Sequence, residues 1–404
     1  MSELHVHEGP DAAIQIAGFR FGVGRGGIKS KGNDVFVVVT EGASVPAAAV
    51  FTKNLFAAAP VQFSRKVVEG GKLAGAVVNS GNANCATGEQ GVKDAAEMAA
   101  SLAAHLEDCN LPVLVASTGI IGRLLPMDKV RDGIAAAVAN LGQCDLYGAA
   151  TAIMTTDTFA KAAYTHVMLS GRKVVVGGIS KGAGMIAPNM GTMLGFIFTD
   201  AAVKPVCLKA LLKDVIQDTY NSVTIDGDTS TNDTLAVLAS GKAGNRAITK
   251  TSEEVGTLRD AVFAVCLSLS RQIARDGEGA TKLVEVRISG AKTKLDARRI
   301  ARAISESPLV KTALHGEDPN WGRIVAAAGR SGADFDPEKA ELLINGVRVF
   351  SKGRPTGAEN EAHQKMTEKE IVIDLSLGAG NAAATFYTCD LSRDYITINA
   401  DYHT

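Results

Sequence analysis

The chain has 404 residues, a formal net charge of −1, 46% hydrophobic residues and 21% charged ones. That length exceeds a single typical core and predicts two or three subdomains, and the balance is that of a soluble globular protein rather than a disordered one. Aromatics at 5% and the lack of any lysine or arginine cluster exclude the electrostatic footprint of a nucleic-acid binder. The six cysteines (85, 109, 144, 207, 266, 389) form no Cys-x-x-Cys pair and no zinc-like spacing, so they read as reduced thiols of a cytosolic protein. No His-Glu-x-x-His occurs, and no apolar run reaches the ~18 residues of a membrane helix. The N-terminus lacks signal or transit character. The expectation is a cytoplasmic protein with no bound metal.

In chain order, Gly22-Val-Gly-Arg-Gly-Gly27 matches G-x-G-x-x-G but leads into the strand-like Asp34–Thr40 rather than a helix, so it reads as a glycine-rich loop and not a dinucleotide fingerprint. Leu73–Asn79 reads as a strand entering a turn-rich stretch, where Asn79, Asn82 and Asn84 either orient a ligand or close turns locally. A helix over Val92–Leu106 follows, then a strand over Val113–Thr118 that ends at Gly119-Ile-Ile-Gly122. A backbone N–H freed beside a glycine and a hydroxyl is raw material for an oxyanion hole, and equally a common strand-to-turn junction. Leu125 begins a helix to about Leu141, and the hydroxyl-rich segment Thr151–Thr158 can bind a carboxylate or serve as a cap. Tyr164–Leu169 and Lys173–Gly178 form a hairpin around Ser170-Gly171.

Ser180–Ala201 is the centre of the chain. Its first half is turn-prone, and Met193–Thr199 reads as a buried strand. Thr192, preceded by Gly191, is placed either as a nucleophile at the mouth of that strand or as part of a glycine-rich turn. Beyond it, Val206–Tyr220 is helical. The acidic segment 225–233 lacks the spaced glycine and the final glutamate of an EF-hand and reads as a turn. Thr257–Arg275 is a helix that stops at Asp276-Gly277, which leaves Glu278 on a Gly-Glu-Gly turn as solvated surface or a ligand hook. The strand Thr281–Ser289 opens a smaller unit with a helix over Asp296–Ser305, turns over 307–323 and a hairpin at Asn345-Gly346. An exposed loop over 351–369 and strand-like pieces near 371–377, 383–388 and 394–398 complete it.

Lys181-Gly-Ala-Gly-Met-Ile-Ala-Pro-Asn-Met-Gly-Thr192-Met-Leu resembles the self-cleavage signature of the ArgJ (ornithine acetyltransferase) family. Ser-Thr-Gly-Ile-Ile-Gly at 117–122, Met-Thr-Thr-Asp at 154–157 and Asp-Gly-Glu-Gly-Ala-Thr-Lys at 276–282 extend the likeness, which runs from about residue 13 to the C-terminus. The resemblance implies self-cleavage between Gly191 and Thr192, with the freed Thr192 as nucleophile. Its new α-amine, of reference pKa ~7.7–8, can act as the base a threonine hydroxyl needs. It implies Thr118 and Gly119 as oxyanion stabilisers, and Thr155, Lys181, Thr192, Glu278, Asn399 and Thr404 as substrate-binding residues. The reaction implied is ping-pong: N2-acetylornithine acylates Thr192, ornithine leaves, and glutamate departs as N-acetylglutamate. No cofactor is implied, and some family members also accept acetyl-coenzyme A. Gly191 departs from the family's usual alanine, which bears on the rate of cleavage.

The fold expected is α+β, an ArgJ/DmpA-like sandwich of mixed β-sheets between helical layers, with a smaller C-terminal subdomain from about 285. The sandwich comes from the resemblance. Fragments 1–191 (α) and 192–404 (β) are expected to remain associated in an α2β2 assembly. Three rival readings remain: an N-terminal-nucleophile amidohydrolase or aminopeptidase using water as acceptor, a non-catalytic amino-acid-binding protein, and an acetyltransferase recruited to secondary metabolism.

Overall fold

The computed structural model describes residues 4–106, 108–187 and 193–401. Its organising fact is that several strands are apolar on both faces. In Val35–Thr40, Phe36 and Val38 belong to one buried cluster while Val35, Val37 and Val39 belong to another. Side chains alternate along a strand, so a continuous apolar run fits only a sheet covered on both sides. Leu194–Thr199 behaves likewise, with Phe196 and Phe198 on one side and Ile197 on the other.

Two sheets meet at the shared cluster. The four-stranded sheet runs in the order Phe19–Gly24, Val35–Thr40, Gly75–Asn82, Val113–Ile120, and its last pair is parallel. The seven-stranded sheet runs His7–Glu8, Lys161–Leu169, Arg172–Lys181, Leu194–Thr199, Thr234–Ala239, Val45–Phe51, Lys72–Leu73. Phe21 packs edge-on against Phe198 with ring centroids 5.0 Å apart, and Phe36 against Phe196 at 6.1 Å, which interlocks the two inner faces. Helices Gly88–Ala103 and Met127–Ala139 cover the outer face of the smaller sheet. Pro205–Val215 and Val255–Arg275 cover the larger one. The result is helix, sheet, sheet, helix, the sandwich expected. A six-stranded sheet beginning at Leu283–Ala291 has its own helices and its own core.

Four local expectations are corrected. The glycine-rich segment at 20–27 is largely strand, Phe19–Gly24, and its glycines serve packing. A Cβ at Gly22, Gly24 or Gly26 would overlap the carbonyl oxygen of Ala137, Gly133 or Lys129, so the motif is what lets helix Met127–Ala139 lie directly on the sheet. Residues 307–323 hold one whole helix, Pro308–His315, and the start of a second, Trp321–Gly329. Pro308 occupies the first helical turn and Asn320 caps the Arg323 N–H, so the residues that suggested turns are helix starts. The loop at 351–369 contains helix Glu359–Lys365. The β-branched run at 394–398 lies within helix Arg393–Asp401, opened by a Ser392 hydroxyl that accepts from the Asp394 N–H at 3.1 Å. The strand Thr234–Ala239 and the helix Ala59–Val67 are further elements that the sequence reading does not identify.

Candidate active site

The strand Val113–Ile120 carries Thr118 and Gly119 to the end of the four-stranded sheet. Gly119 has φ 133°, and a Cβ there would overlap Gly81 of the neighbouring strand, so the junction requires glycine. Across the gap between the sheets, Arg172–Lys181 ends with Lys181, which is buried and pairs in register with Leu194. The turn before Lys161–Leu169 supplies Thr155, and the turn after helix Val255–Arg275 supplies Glu278. Helix Arg393–Asp401 brings in Asn399, whose Nδ2 donates to Glu278 Oε2 at 2.9 Å. Thr118, Gly119, Thr155, Lys181, Glu278 and Asn399 all line one cavity of about 390 Å³. Gly191, Thr192 and Thr404 lie outside the described residues.

Lys181 is held from below. Its Nζ lies 3.9 Å from Asp157 Oδ2, and Asp157 also accepts from the Thr155 N–H at 2.9 Å, the Gly182 N–H at 2.7 Å and Lys161 Nζ at 2.7 Å. Lys161, fully buried, bridges Asp157 to Asp276, which in turn accepts from Thr158. Burial works to raise the Asp157 carboxyl, but the Lys161 and Lys181 ammoniums hold it well below the usual carboxylate range. Burial pushes the Lys181 ammonium down, opposed mainly by Asp157. A buried cation only partly compensated by its neighbours gains from an incoming carboxylate.

Glu278 is set by contacts on three sides. Its N–H donates to the Ala183 carbonyl at 2.8 Å, and its carboxylate crosses Gly184 so closely that a Cβ there would overlap it. Gly279, at φ 70°, abuts the Tyr395 backbone, and its carbonyl accepts from the Ser392 hydroxyl at 2.6 Å. The cavity therefore has a basic residue at one side and an acidic residue at another, with hydroxyl and glycine backbone between them.

Several residues escape a sequence reading. Asn232 lines the same cavity and donates to the carbonyls of Ala83 (2.6 Å) and Ser117 (2.9 Å), which fastens the acidic segment to the strand end beside Thr118. Asp226 accepts from the Met185 and Ile186 N–H groups at 2.6 and 2.9 Å, so that segment clamps the chain ahead of residue 188. Nothing local distinguishes Asp157, Asp226 or Asn232 from ordinary turn residues. By contrast, Asn82 and Asn84 serve the backbone: Asn82 Oδ1 accepts from the Asn84 N–H at 2.8 Å to close a turn and its Nδ2 tethers the Leu124 carbonyl at 3.0 Å, while Asn84 Nδ2 donates to the Gly91 carbonyl at 2.8 Å. Among the described residues no group of three or more histidine, cysteine or acidic side chains could hold a metal ion.

The family model described as "ArgJ family" matches residues 20–404. The "Arginine biosynthesis bifunctional protein ArgJ" of Symbiobacterium thermophilum is 49% identical over 359 residues, covering 89% of each chain. The protein of the same description from Geobacter sulfurreducens is 44% identical over 393 residues, covering 97% of this chain and all (100%) of its own. A crystal structure of the arginine biosynthesis bifunctional protein ArgJ from Bacillus halodurans aligns with a TM-score of 0.50 and 41% identity, over 51% of this chain and 98% of its own. This chain belongs to the ArgJ family.

Proposed function

We propose that the protein is the acetyltransferase of arginine biosynthesis that moves the acetyl group of N2-acetylornithine to glutamate through an acetyl-threonine enzyme. Family membership and the meeting of Thr118, Gly119, Thr155, Lys181, Glu278 and Asn399 around one cavity support the reading. In it, Lys181 and Thr155 take the substrate α-carboxylate, and Glu278, steadied by Asn399, takes the ornithine side-chain ammonium. Thr192 carries the acetyl group. Thr118 and Gly119 stabilise the oxyanion, a contribution worth roughly 10²–10³ in rate for one donor. Thr404 is a further substrate-binding residue in this reading. Glutamate then occupies the place ornithine left, and its single amine is acetylated. Acetyl-coenzyme A is a second donor in this reading, and no cofactor takes part.

Thr192 becomes the nucleophile when the chain cleaves itself after Gly191, giving fragments 1–191 and 192–404, the second including the subdomain from about 285. The Bacillus halodurans chain is covered almost fully yet matches about half of this one, the share expected if mature chains are fragments. Two copies of each fragment form the α2β2 enzyme. All six cysteines are free thiols, and no described helix is long and apolar enough to cross a membrane, which agrees with a cytoplasmic setting.

Incubation with N2-acetylornithine and glutamate tests the activity. N-acetylglutamate should form only when both are present, and a mass gain of one acetyl group should appear on the fragment beginning at Thr192 when glutamate is withheld. Steady release of free acetate without glutamate would replace this reading with the amidohydrolase one. Binding without any acyl-enzyme would replace it with a binding protein.

A further inference from the structure

A backbone needs glycine where φ is positive or where a neighbour crowds the Cα, and residues 182–185 separate the two cases. Gly182 has φ 151°, in the region that favours glycine. Met185 has φ 57° and carries a full side chain there, its N–H held by Asp226 Oδ2 at 2.6 Å. Gly184 lies between them and has no positive φ, so its backbone suits any residue. What forbids a side chain there is a single group. The three heavy atoms nearest to a Cβ at 184 are Oε2, Cδ and Oε1 of Glu278, and all three would overlap it. The glycine stands where a side chain needs room, and not where the chain needs a left-handed turn.

The same short segment carries both poles of the proposed substrate site. Lys181 ends the strand Arg172–Lys181, the Gly182 N–H donates to Asp157 at 2.7 Å, and the Ala183 carbonyl accepts from the Glu278 N–H at 2.8 Å. At Gly184 the Glu278 carboxylate lies directly against the backbone, and Asn399 Nδ2 donates to its Oε2 at 2.9 Å. Lys181, Gly184, Glu278 and Asn399 line one cavity. The spacing of the two charges is therefore set by three residues of chain, one backbone hydrogen bond and the side chain missing at 184. A methyl group at 184 takes the place the carboxylate now occupies, so the carboxylate must leave its seat. It is the far end of a flexible side chain, so the move disturbs the fold little while displacing the charge.

We propose that Gly184 is the positioning residue for Glu278 and, through it, sets the preference of the site for a donor with a side-chain ammonium. This rests on the reading above in which Lys181 takes the N2-acetylornithine carboxylate and Glu278 its ammonium. A charge-assisted hydrogen bond is short and directional, so a carboxylate displaced by the width of a methyl group no longer meets the ammonium. A donor with an uncharged side chain has no such bond to lose. Gly184 itself acts on no reacting atom. Its effect is confined to where the Glu278 charge stands relative to Lys181.

The test compares kcat/KM of the purified enzyme for N2-acetylornithine and for N2-acetylnorleucine, whose terminal methyl replaces the ammonium, with glutamate as acceptor. In Gly184→Ala the ratio of the two should fall about 10–100-fold, the span of one charge-assisted hydrogen bond, mostly through KM for N2-acetylornithine. Introduced into Glu278→Gln, the same substitution should leave kcat/KM for N2-acetylornithine nearly unchanged, because the charge it displaces is already gone. Equal losses in both backgrounds, or parental constants in Gly184→Ala, would overturn the role of Gly184 and leave the function reading standing. A variant that fails to fold, or stays uncut where the parent is cut, would also overturn it, since the glycine would then serve the chain and not Glu278. A parent that uses N2-acetylornithine no better than N2-acetylnorleucine would overturn the assignment of Glu278, and this proposal with it.

Discussion

In the proposed reading Lys181 takes the carboxylate and Glu278 the side-chain ammonium of N2-acetylornithine, and their environments make that division testable. Glu278→Gln keeps the shape and the Asn399 contact but removes the charge. A charge-assisted hydrogen bond contributes about 1.5–3 kcal/mol, so kcat/KM for N2-acetylornithine should fall roughly 10–100-fold, mostly through KM. Unchanged steady-state constants would remove Glu278 from the site. Lys181 gives a pH signature. Its value in the folded protein lies below the ordinary 10.5, so the cation is lost earlier on raising pH, and KM should climb as pH rises through that lowered value. The linkage has the matching sign: between the lowered value and 10.5 the unfolded chain binds more protons, so the contribution of Lys181 makes stability rise with pH there. In Lys181→Met both dependences should vanish. The side chains a sequence exposes as chemistry, such as the Gly-Glu-Gly acid and the threonine beside Gly119, are those in unusual local settings. Asp157 and Asn232 sit in ordinary-looking polar turns and acquire meaning only when distant strands bring Lys181 or Ser117 against them.

Elements apolar on both faces, such as Val35–Thr40 and Leu194–Thr199, are readable because burial on two sides leaves a continuous hydrophobic run. The segment at 20–27 misleads because its glycines speak to a helix more than a hundred residues away. Gly24→Ala should therefore cost about 1–3 kcal/mol by overpacking, measured as a lowered urea midpoint with an unchanged slope. A variant as stable as the parent would mean the helix does not rest on that glycine. The C-terminal helix misleads for another reason: its β-branched residues suit a strand, but the Ser392 cap starts a helix whose side chains contribute nothing to the core. What it brings to the cavity is Asn399. A chain ending at Ser392 lacks Asn399 and Thr404, so it should lose activity yet melt within a few degrees of the parent. Retained activity would detach that helix from the site.

At the scale of the molecule, cleavage after residue 191 would divide the seven-stranded sheet without releasing either part. Leu194–Thr199 is hydrogen-bonded on one side to Arg172–Lys181 and on the other to Thr234–Ala239, so a strand of each fragment flanks it. The clusters on both faces of that sheet also draw on residues from before and after the cut, including Val176 with Ile197 and Phe36 with Phe196. Burying each such phenylalanine or isoleucine contributes about 1.5–3 kcal/mol, which would hold the two parts of a cut chain together as one fold. The strand that follows the proposed cut begins level with Lys181, which lines the cavity.

The intact mass of the purified protein under denaturing conditions tests the central claim most directly. The account predicts two chains, the second beginning Thr192-Met-Leu-Gly, that separate only on denaturation. A single chain of 41.9 kDa that persists after Gly191→Ala would contradict a freed threonine nucleophile and with it the acetyl-enzyme.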